Sequence, residues 1–428
     1  MSRIEKYLIE KGFIFPTNSI YGGQEASWDY GHIGVLLKEN LKQAWISFFV
    51  SSRENARLYE GTLLTSRQIW EASGHLSHFE KKLVECKKCN HRYELEDNED
   101  LKACRNCNAR DLTEPQSFQL LFKTDKYYLR PETAQTIFVN TKLISLKSQL
   151  SLPFGIAQIG KAFRNEVSPG RGVFRTKEFE QLEFEEFVLP EKSNATLEHQ
   201  KKQVNSFLVD VLGFSTSSIQ FQEVTGSELP HYSLRNADLY YNFEFGREEL
   251  WGIANRGDFD LDSHQKCSGV KLHFQTQENA ELVLPHVVEH SVGLNRLLLA
   301  LITEKLTKKE GREWAVLSLP INLSPYKFAI LPLAKMQHGE ALNLFNWLKK
   351  SSCSIALSTK GSIGKRYREQ DEIGTAFCLT IDYQSGNWAD DEFSFTLRER
   401  DTGQQLRLKR ENLKKYIWDC LAIHPEFR

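Results

Sequence analysis

Residues 162–187 read AFRNEVSPGRGVFRTKEFEQLEFEEF, and the fold turns on them. Arg164 is followed at once by Asn165 and Glu166, then by a Pro-Gly-Arg-Gly loop bounded by Ser168 and Val173. From Phe179 to Phe187, aromatic or aliphatic residues alternate with acids and glutamine. A Gly- and Pro-rich loop between two such runs predicts a β-hairpin with a long tip. Side chains alternate across a strand, so Phe179, Gln181, Glu183 and Glu185 share one face. A ring, an amide and carboxylates projecting together make a polar sheet surface suited to holding a ligand. The plainer alternative is a solvated hairpin with a few surface ion pairs.

Around this hairpin the chain runs to 428 residues, too long for one ordinary core, which predicts two or three domains. Hydrophobic residues at 40% and charged residues at 26% are an ordinary globular balance. With a formal net charge of -1, any nucleic-acid contact must come from local patches. The opening MSRIEKYLIEKGF has no apolar core of signal-peptide type, and no run reaches membrane-span length. A cytoplasmic protein is expected.

Cys86, Cys89, Cys104 and Cys107 form C-x-x-C, fourteen residues, C-x-x-C. Two such pairs in one short polar segment suit a tetrahedral zinc, and four thiolates would close its shell, making it structural. A redox pair or plain thiols are the alternatives. Residues 286–290 spell H-x-x-E-H, a zinc-protease pattern that needs both histidines on one helix face. Pro285, Val287 and Val288 favour a strand there, so that reading is set aside. After Gly293, Leu294, Leu297, Leu298 and Leu301 fall at helical spacing as a buried stripe, leaving Arg296 off it and near the helix start. Asp258 to Asp262 reads as a solvated loop, residues 303–324 as a linker, and residues 325–422 as alternating strands and helices, an α/β domain.

Arg-Asn-Glu, a loop, then RTKEFEQLE resembles motif 2 of the class II aminoacyl-tRNA synthetases, most closely the single-chain glycyl-tRNA synthetases. Further segments are similar to that family. Residues 19–50 resemble motif 1, a long helix and strand of the dimer interface, with His32 where the family usually has proline. WEASGH (70–75) and LRPETAQ (129–135) also match, and in the second a helix is expected to start around Pro131, where proline's missing N–H costs nothing. E-x-S-x-G with G-x-x-R (289–296) resembles motif 3, with His290 at another usual proline. SIGKRYREQDEIGT and FTLRERDT resemble the anticodon-binding domain of class IIa synthetases, with Ala376 at a third; Lys360, Lys365, Arg366, Arg368, Arg398 and Arg400 are its basic cluster.

The resemblance implies an α+β catalytic domain built on an antiparallel sheet over residues 1–322. A four-cysteine, zinc-ribbon-like insert spans 84–112, and an anticodon-binding α/β domain with a mixed sheet spans 323–428. It implies glycine activation by ATP and transfer to tRNA(Gly) by a homodimer. ATP, Mg2+ and structural Zn2+ are the implied cofactors, and no membrane is involved. Arg164, Arg175 and Arg296 would be catalytic. ATP would meet Arg164, Asn165, Glu166, Phe174, Arg175, Thr176, Lys177, Glu178, Phe179, Glu249, Leu250, Gly293, Leu294, Asn295 and Arg296. Phe179 and Arg296 would sandwich adenine, and Glu249 would hold Mg2+. Glycine would meet Arg92, Glu132, Phe179, Glu180, Gln181, Leu182, Glu183, Arg256, Glu289, His290, Ser291, Val292 and Gly293. Another class IIa synthetase, or a non-catalytic nucleic-acid-binding paralogue, is the alternative.

Overall fold

The predicted hairpin is the middle of a seven-stranded sheet in the computed structural model. The structure describes residues 2–95, 101–166, 171–226, 229, 230, 232–276 and 281–421. The loop tip at Ser168 to Gly170 and the expected helix end at Ala422 lie outside those residues. The strands are β1 (Ala56–Tyr59), β2 (Phe154–Phe163), β3 (Glu178–Val188), β4 (Ile219–Val224), β5 (Arg235–Phe243), β6 (Gly246–Gly257) and β7 (His286–Gly293). Their spatial order is β4-β5-β6-β7-β3-β2-β1. Every pairing is antiparallel except β1 with β2. Glu183 stands opposite Gln158 on one side and Ser291 on the other, so three strands bring their alternate residues onto one floor.

The floor's two faces are covered differently. Helices α1 (His32–Ile46), α3 (Ser193–Ser206) and α5 (Leu294–Lys305) share one core with Leu182, Phe184, Trp251, Val288 and Val292 of the strands. Gly34 lets α1 approach, since a Cβ there would lie 2.1 Å from the Phe13 carbonyl oxygen. His32 is the first residue of α1, where a proline would also fit because no intrahelical N–H is lost. On the other face, α2 (Ala134–Ser148) and α4 (Phe259–Ser268) cover only one end, packing on Phe154, Ile156, Phe187 and Val287. The remaining floor stays open.

Several expectations are corrected. The RPETAQ helix starts at Ala134, not at Pro131, because Thr133 turns inward and its N–H donates to Gln181 at 3.3 Å. Asp258 to Asp262 is no solvated loop: α4 begins at Phe259, and Asp260 is buried against Arg256. The expected linker contains a two-stranded ribbon, Leu306–Lys308 with Ala315–Leu317. The zinc-protease pattern lies on strand β7, where it has no helix face.

The C-terminal sheet contains β8 (Phe328–Pro332), β9 (Ile355–Leu357), β10 (Phe377–Ile381), β11 (Ser394–Glu399) and β12 (Gln405–Lys409). Its order is β9-β8-β10-β11-β12, parallel at the first two pairings and antiparallel at the others, hence the expected mixed sheet. Strand β12 escapes a reading of the sequence alone. Helices α6 (His338–Leu348), α7 (Ile363–Ile373) and α8 (Lys414–Leu421) complete it. Half of the basic cluster is internal: Arg366, Arg398 and Arg400 are buried. Near the start of the chain, helix Arg3–Glu10 reaches across to α7. Tyr7 donates to the Glu372 carbonyl, and Lys11 pairs with the Glu372 carboxylate at 2.6 Å.

Candidate active site

The floor strand β3 turns Gln181 and Glu183 to the open side and Glu180, Leu182 and Phe184 to the helices. Gln181 is the hinge of the arrangement. It lines a cleft with Arg164, Phe174, Arg175, Phe179 and Arg296, and its amide donates to Glu183 at 3.1 Å in the neighbouring acidic pocket. A cluster of guanidiniums and a cluster of carboxylates therefore meet on alternate residues of one strand.

On the cationic side, the Arg164 guanidinium lies over the Phe179 ring at 5.4 Å, and its Nε donates to the Pro131 carbonyl at 3.1 Å. Arg296 stacks on Phe174 at 4.3 Å and donates to the Glu249 carbonyl at 3.1 Å. Burial and the nearby Arg164 and Arg175 hold the Arg296 guanidinium below its usual value, with Glu249 pulling the other way. Three guanidiniums near one another, with few anions, form a site short of negative charge. Glu166, Thr176, Leu250, Gly293, Asn295, Ser291 and Val292 complete the lining. Glu249 and Glu166 are the carboxylates on this wall, hard oxygen donors that fit a divalent cation held beside phosphates.

On the acidic side, Glu183 accepts from the Thr133 hydroxyl, and its carboxyl is pushed well above the usual range by burial and by Glu289 and Glu132. Burial also raises Glu289, although Arg256 opposes this. Arg256 is wholly buried. It grips Asp260 through Nε at 2.6 Å and Nη2 at 3.0 Å, turns Nη1 to Glu289, and lies over the Tyr232 ring at 3.9 Å. Burial would weaken its charge, but Asp260 and Glu289 hold it well above the ordinary value. Glu132 behaves oppositely to the other acids. Burial favours its neutral form, yet His75 at 3.2 Å, Arg256 and Arg164 pull its carboxyl far below the usual range.

Other expected site residues point elsewhere. Glu180 faces the helices and pairs with Lys38 and, at 2.6 Å, Lys42. Leu182 and Leu294 belong to the core. His290 is buried among Phe49, Trp251 and Phe184. Glu178 is exposed and pairs with Lys161 at 2.6 Å. The strand positions follow from parity, since every second residue of a contiguous motif faces away, while Leu294 starts the buried stripe of α5. Asn165, Lys177 and Arg92 line a separate recess beside the insert, reached by Glu166 as well, and Arg92 is held by Glu85 at 2.9 Å. Asp260, Tyr232, Thr133 and His75 join the site without having been expected there. His75 lies in the WEASGH segment, whose letters alone suggest no role; Asp260 follows Arg256 by four positions, the one spacing that could have flagged it.

The four insert cysteines come together on two turns beside the sheet of Glu80–Glu85, Arg92–Leu95 and Gln116–Gln119. Their thiols are free, with Cys86 and Cys107 sulfurs 3.6 Å apart and Cys89 and Cys104 sulfurs 3.5 Å apart. Zinc–sulfur bonds of about 2.3 Å in a tetrahedron set sulfurs roughly 3.8 Å apart, so the donor set fits that ion. Burial opposes ionisation of Cys104, but the Tyr93 hydroxyl and the N–H groups of Cys107 and Asn106 bring its thiol down to about 5.

Residues 120–305 match the model of the class II tRNA synthetase core domain (G, H, P, S and T), and residues 327–419 match that of the anticodon binding domain. The chain is similar to the glycine–tRNA ligase of Mesoplasma florum, 37% identical over 97% of this chain and 99% of the relative. It is likewise similar to that of Mycoplasma genitalium, 39% identical over 96% of each. The Geobacillus thermodenitrificans enzyme is 39% identical over 99% of this chain and 98% of the relative. Near-full-length likeness, the two domain matches and the antiparallel floor agree: the chain belongs to the glycine–tRNA ligase family of class II aminoacyl-tRNA synthetases.

Proposed function

We propose that this protein joins glycine to ATP as glycyl-adenylate and passes the glycyl group to the 3′ end of tRNA(Gly), using the cleft on β3. The observation that carries the reading is Gln181, which borders the arginine cleft and hydrogen-bonds Glu183. The glycine carboxylate is already a nucleophile, so the first step needs no general base. Its obstacle is repulsion between two anions. Arg164, Arg175 and Arg296 answer it by offering fixed positive charge where the α-phosphate gains negative charge. When bound, Mg2+ neutralises phosphate charge, with Glu249 and Glu166 as its holders. Glu132, Glu183 and Glu289 face the ammonium and Arg256 the carboxylate of glycine.

Arg256 is already satisfied by Asp260 and Glu289, so a carboxylate ligand would compete for it. A buried site with acids close together leaves little room for a side chain. Exclusion of a methyl group is a better discriminator here than attraction, because one methylene is worth only about 1–3 kcal/mol.

Structural zinc held by Cys86, Cys89, Cys104 and Cys107 completes the insert. We read residues 1–322, with the insert at 84–112, as the catalytic unit and 323–428 as the anticodon unit. A homodimer is supported by Leu58 on edge strand β1, which is 51% exposed, and by Leu63 and Ile46 beside it. No helix among the described residues is long and apolar enough to cross a membrane, in keeping with a cytoplasmic place of work. Glycine-dependent ATP–pyrophosphate exchange, run against every proteinogenic amino acid, tests the reading. Arg164→Ala should abolish exchange with the fold intact by circular dichroism; normal exchange in that variant refutes the role.

A further inference from the structure

One buried acid has no place in the scheme above. Glu185 is wholly buried, two residues along β3 from Glu183 on the same face, and stands directly opposite Glu289 on β7. Neither of its carboxyl oxygens has a hydrogen-bond partner among the described residues. One oxygen of Glu185, one of Glu183 and one of Glu289 lie within 4.8 Å of one another.

The neighbours explain why this acid stands apart. Glu183 has the Thr133 hydroxyl and the Gln181 amide. Glu289 has Arg256, whose other donors go to Asp260. The charged groups acting on Glu185 are Glu183 on its own strand, Glu289 on β7, Asp260 on α4 and Arg256 on β6. Three of the four are acids, and the one cation is already committed. A buried carboxylate with neither donor nor counter-ion is not sustainable, whereas a carboxylic acid in that place needs only an acceptor. Glu183 and Glu289, its neighbours in the cluster, are the acceptors on offer.

We propose that Glu185 is a positioning residue for the amino-acid site: a neutral acid whose O–H is given to Glu183 or Glu289 as an incoming ammonium ionises them, holding them as its acceptors. It adds a donor behind the pair and no charge of its own. Burial first, then the charges of Glu289 and Glu183, push its carboxyl well above the usual range, which agrees with this form. The arrangement rests on glycine activation as the reaction. It also has a use: a third full negative charge would repel the two acids that receive the substrate, while a neutral donor draws them together.

Glycine-dependent pyrophosphate exchange on the full-length protein separates the alternatives. E185L removes the donor without adding charge, and KM for glycine should rise about tenfold, the worth of one hydrogen bond to a charged group, with kcat and KM for ATP held. E185Q, which keeps a neutral N–H donor, should rescue most of that loss. E183Q should raise the glycine KM on the order of 30-fold or more, since it removes a charged acceptor. With saturating glycine, which ionises Glu183 and Glu289, infrared difference spectra should show a protonated-carboxyl band in the wild type at neutral pH that is lost in E185Q.

If E185Q is as damaging as E183Q, Glu185 is an ionised ammonium ligand and the proposal is overturned. It is overturned equally if E185L matches the wild type, or if the band is missing. Should the wild type itself show no glycine-dependent exchange, the underlying reading fails instead, and the infrared band still reports the state of Glu185.

Discussion

Single residues in this site are set against their own chemistry. Glu132 is held charged by His75 and two arginines, while Glu183 and Glu289 are driven toward their neutral forms by burial and mutual repulsion. The signs differ, and so do the pH consequences. Glu132 adds stability that is present above the unfolded carboxylate range, near 4.3, and is lost as pH falls through its depressed value. Glu183 and Glu289 bind more protons folded than unfolded, so they cost stability as pH rises from that range through their raised values. An ammonium ligand relieves that cost, because it favours their ionised forms. The rise in melting midpoint caused by saturating glycine should therefore be larger at mildly alkaline than at mildly acidic pH. Differential scanning fluorimetry checks this, and a rise that shrinks with pH contradicts it. Which residues would stand together was partly legible. Parity along β3 put Gln181, Glu183 and Glu185 on one side; the same rule, applied residue by residue, removes Glu180, Leu182 and His290. Asp260 was hidden because four acidic and apolar letters look the same in a loop and in a first helical turn.

Elements were read best where one physical signal dominated. The leucine stripe of α5 and the alternation of β3 appear in the structure as expected, because the apolar residues of each join one core while the polar residues of β3 face the site. Short elements failed. The five-residue β12 and the three-residue strands of the ribbon at 306–317 are too short to show a period of their own, and pairing across a hairpin with the neighbouring strand, more than their own letters, gives them their identity. Half of the basic cluster turns inward for a related reason: Arg366, for one, donates to the Pro332 and Ser358 carbonyls at 2.8 and 2.9 Å and so ties two strand ends inside the domain. The cysteine insert has a small apolar core of Cys86, Tyr93 and Cys104 with a few partly buried neighbours. The proposed zinc would supply what so thin a core lacks. Stripping zinc with a chelator, or Cys104→Ser, should open the insert to limited proteolysis near residues 86–107 while the seven-stranded sheet resists. Equal resistance with and without chelator would show that the thiols hold no structural ion.

At the scale of the whole molecule, a buried ionic knot ties the C-terminal sheet to the ribbon that follows α5. Asp371 of α7 receives both Nη atoms of Arg398, at 2.7 and 2.9 Å, with Arg312 at 3.0 Å and the Trp314 indole at 3.1 Å. Arg312 and Trp314 come from the segment read as a linker, which explains why it is ordered. Asp371→Ala strands two buried guanidiniums and should cost about 3–5 kcal/mol, read by urea unfolding of the C-terminal sheet and its helices. A loss under about 1 kcal/mol would mean the knot is solvated, as surface pairs are. The strut from helix Arg3–Glu10 to Glu372 has another consequence, one of timing. Tyr7 and Glu372 are 365 positions apart. A ribosome adding roughly 5–20 residues per second leaves an interval on the order of 20–70 s between the emergence of the two. During it, Tyr7 and Lys11 have no α7 to meet, and the first helix is seated only by its catalytic-side contacts. Stalled nascent chains ending before α7 should be clipped by protease close to Lys11, and chains extending past β12 should not. The newborn enzyme thus fastens its first turn of helix with nearly its last.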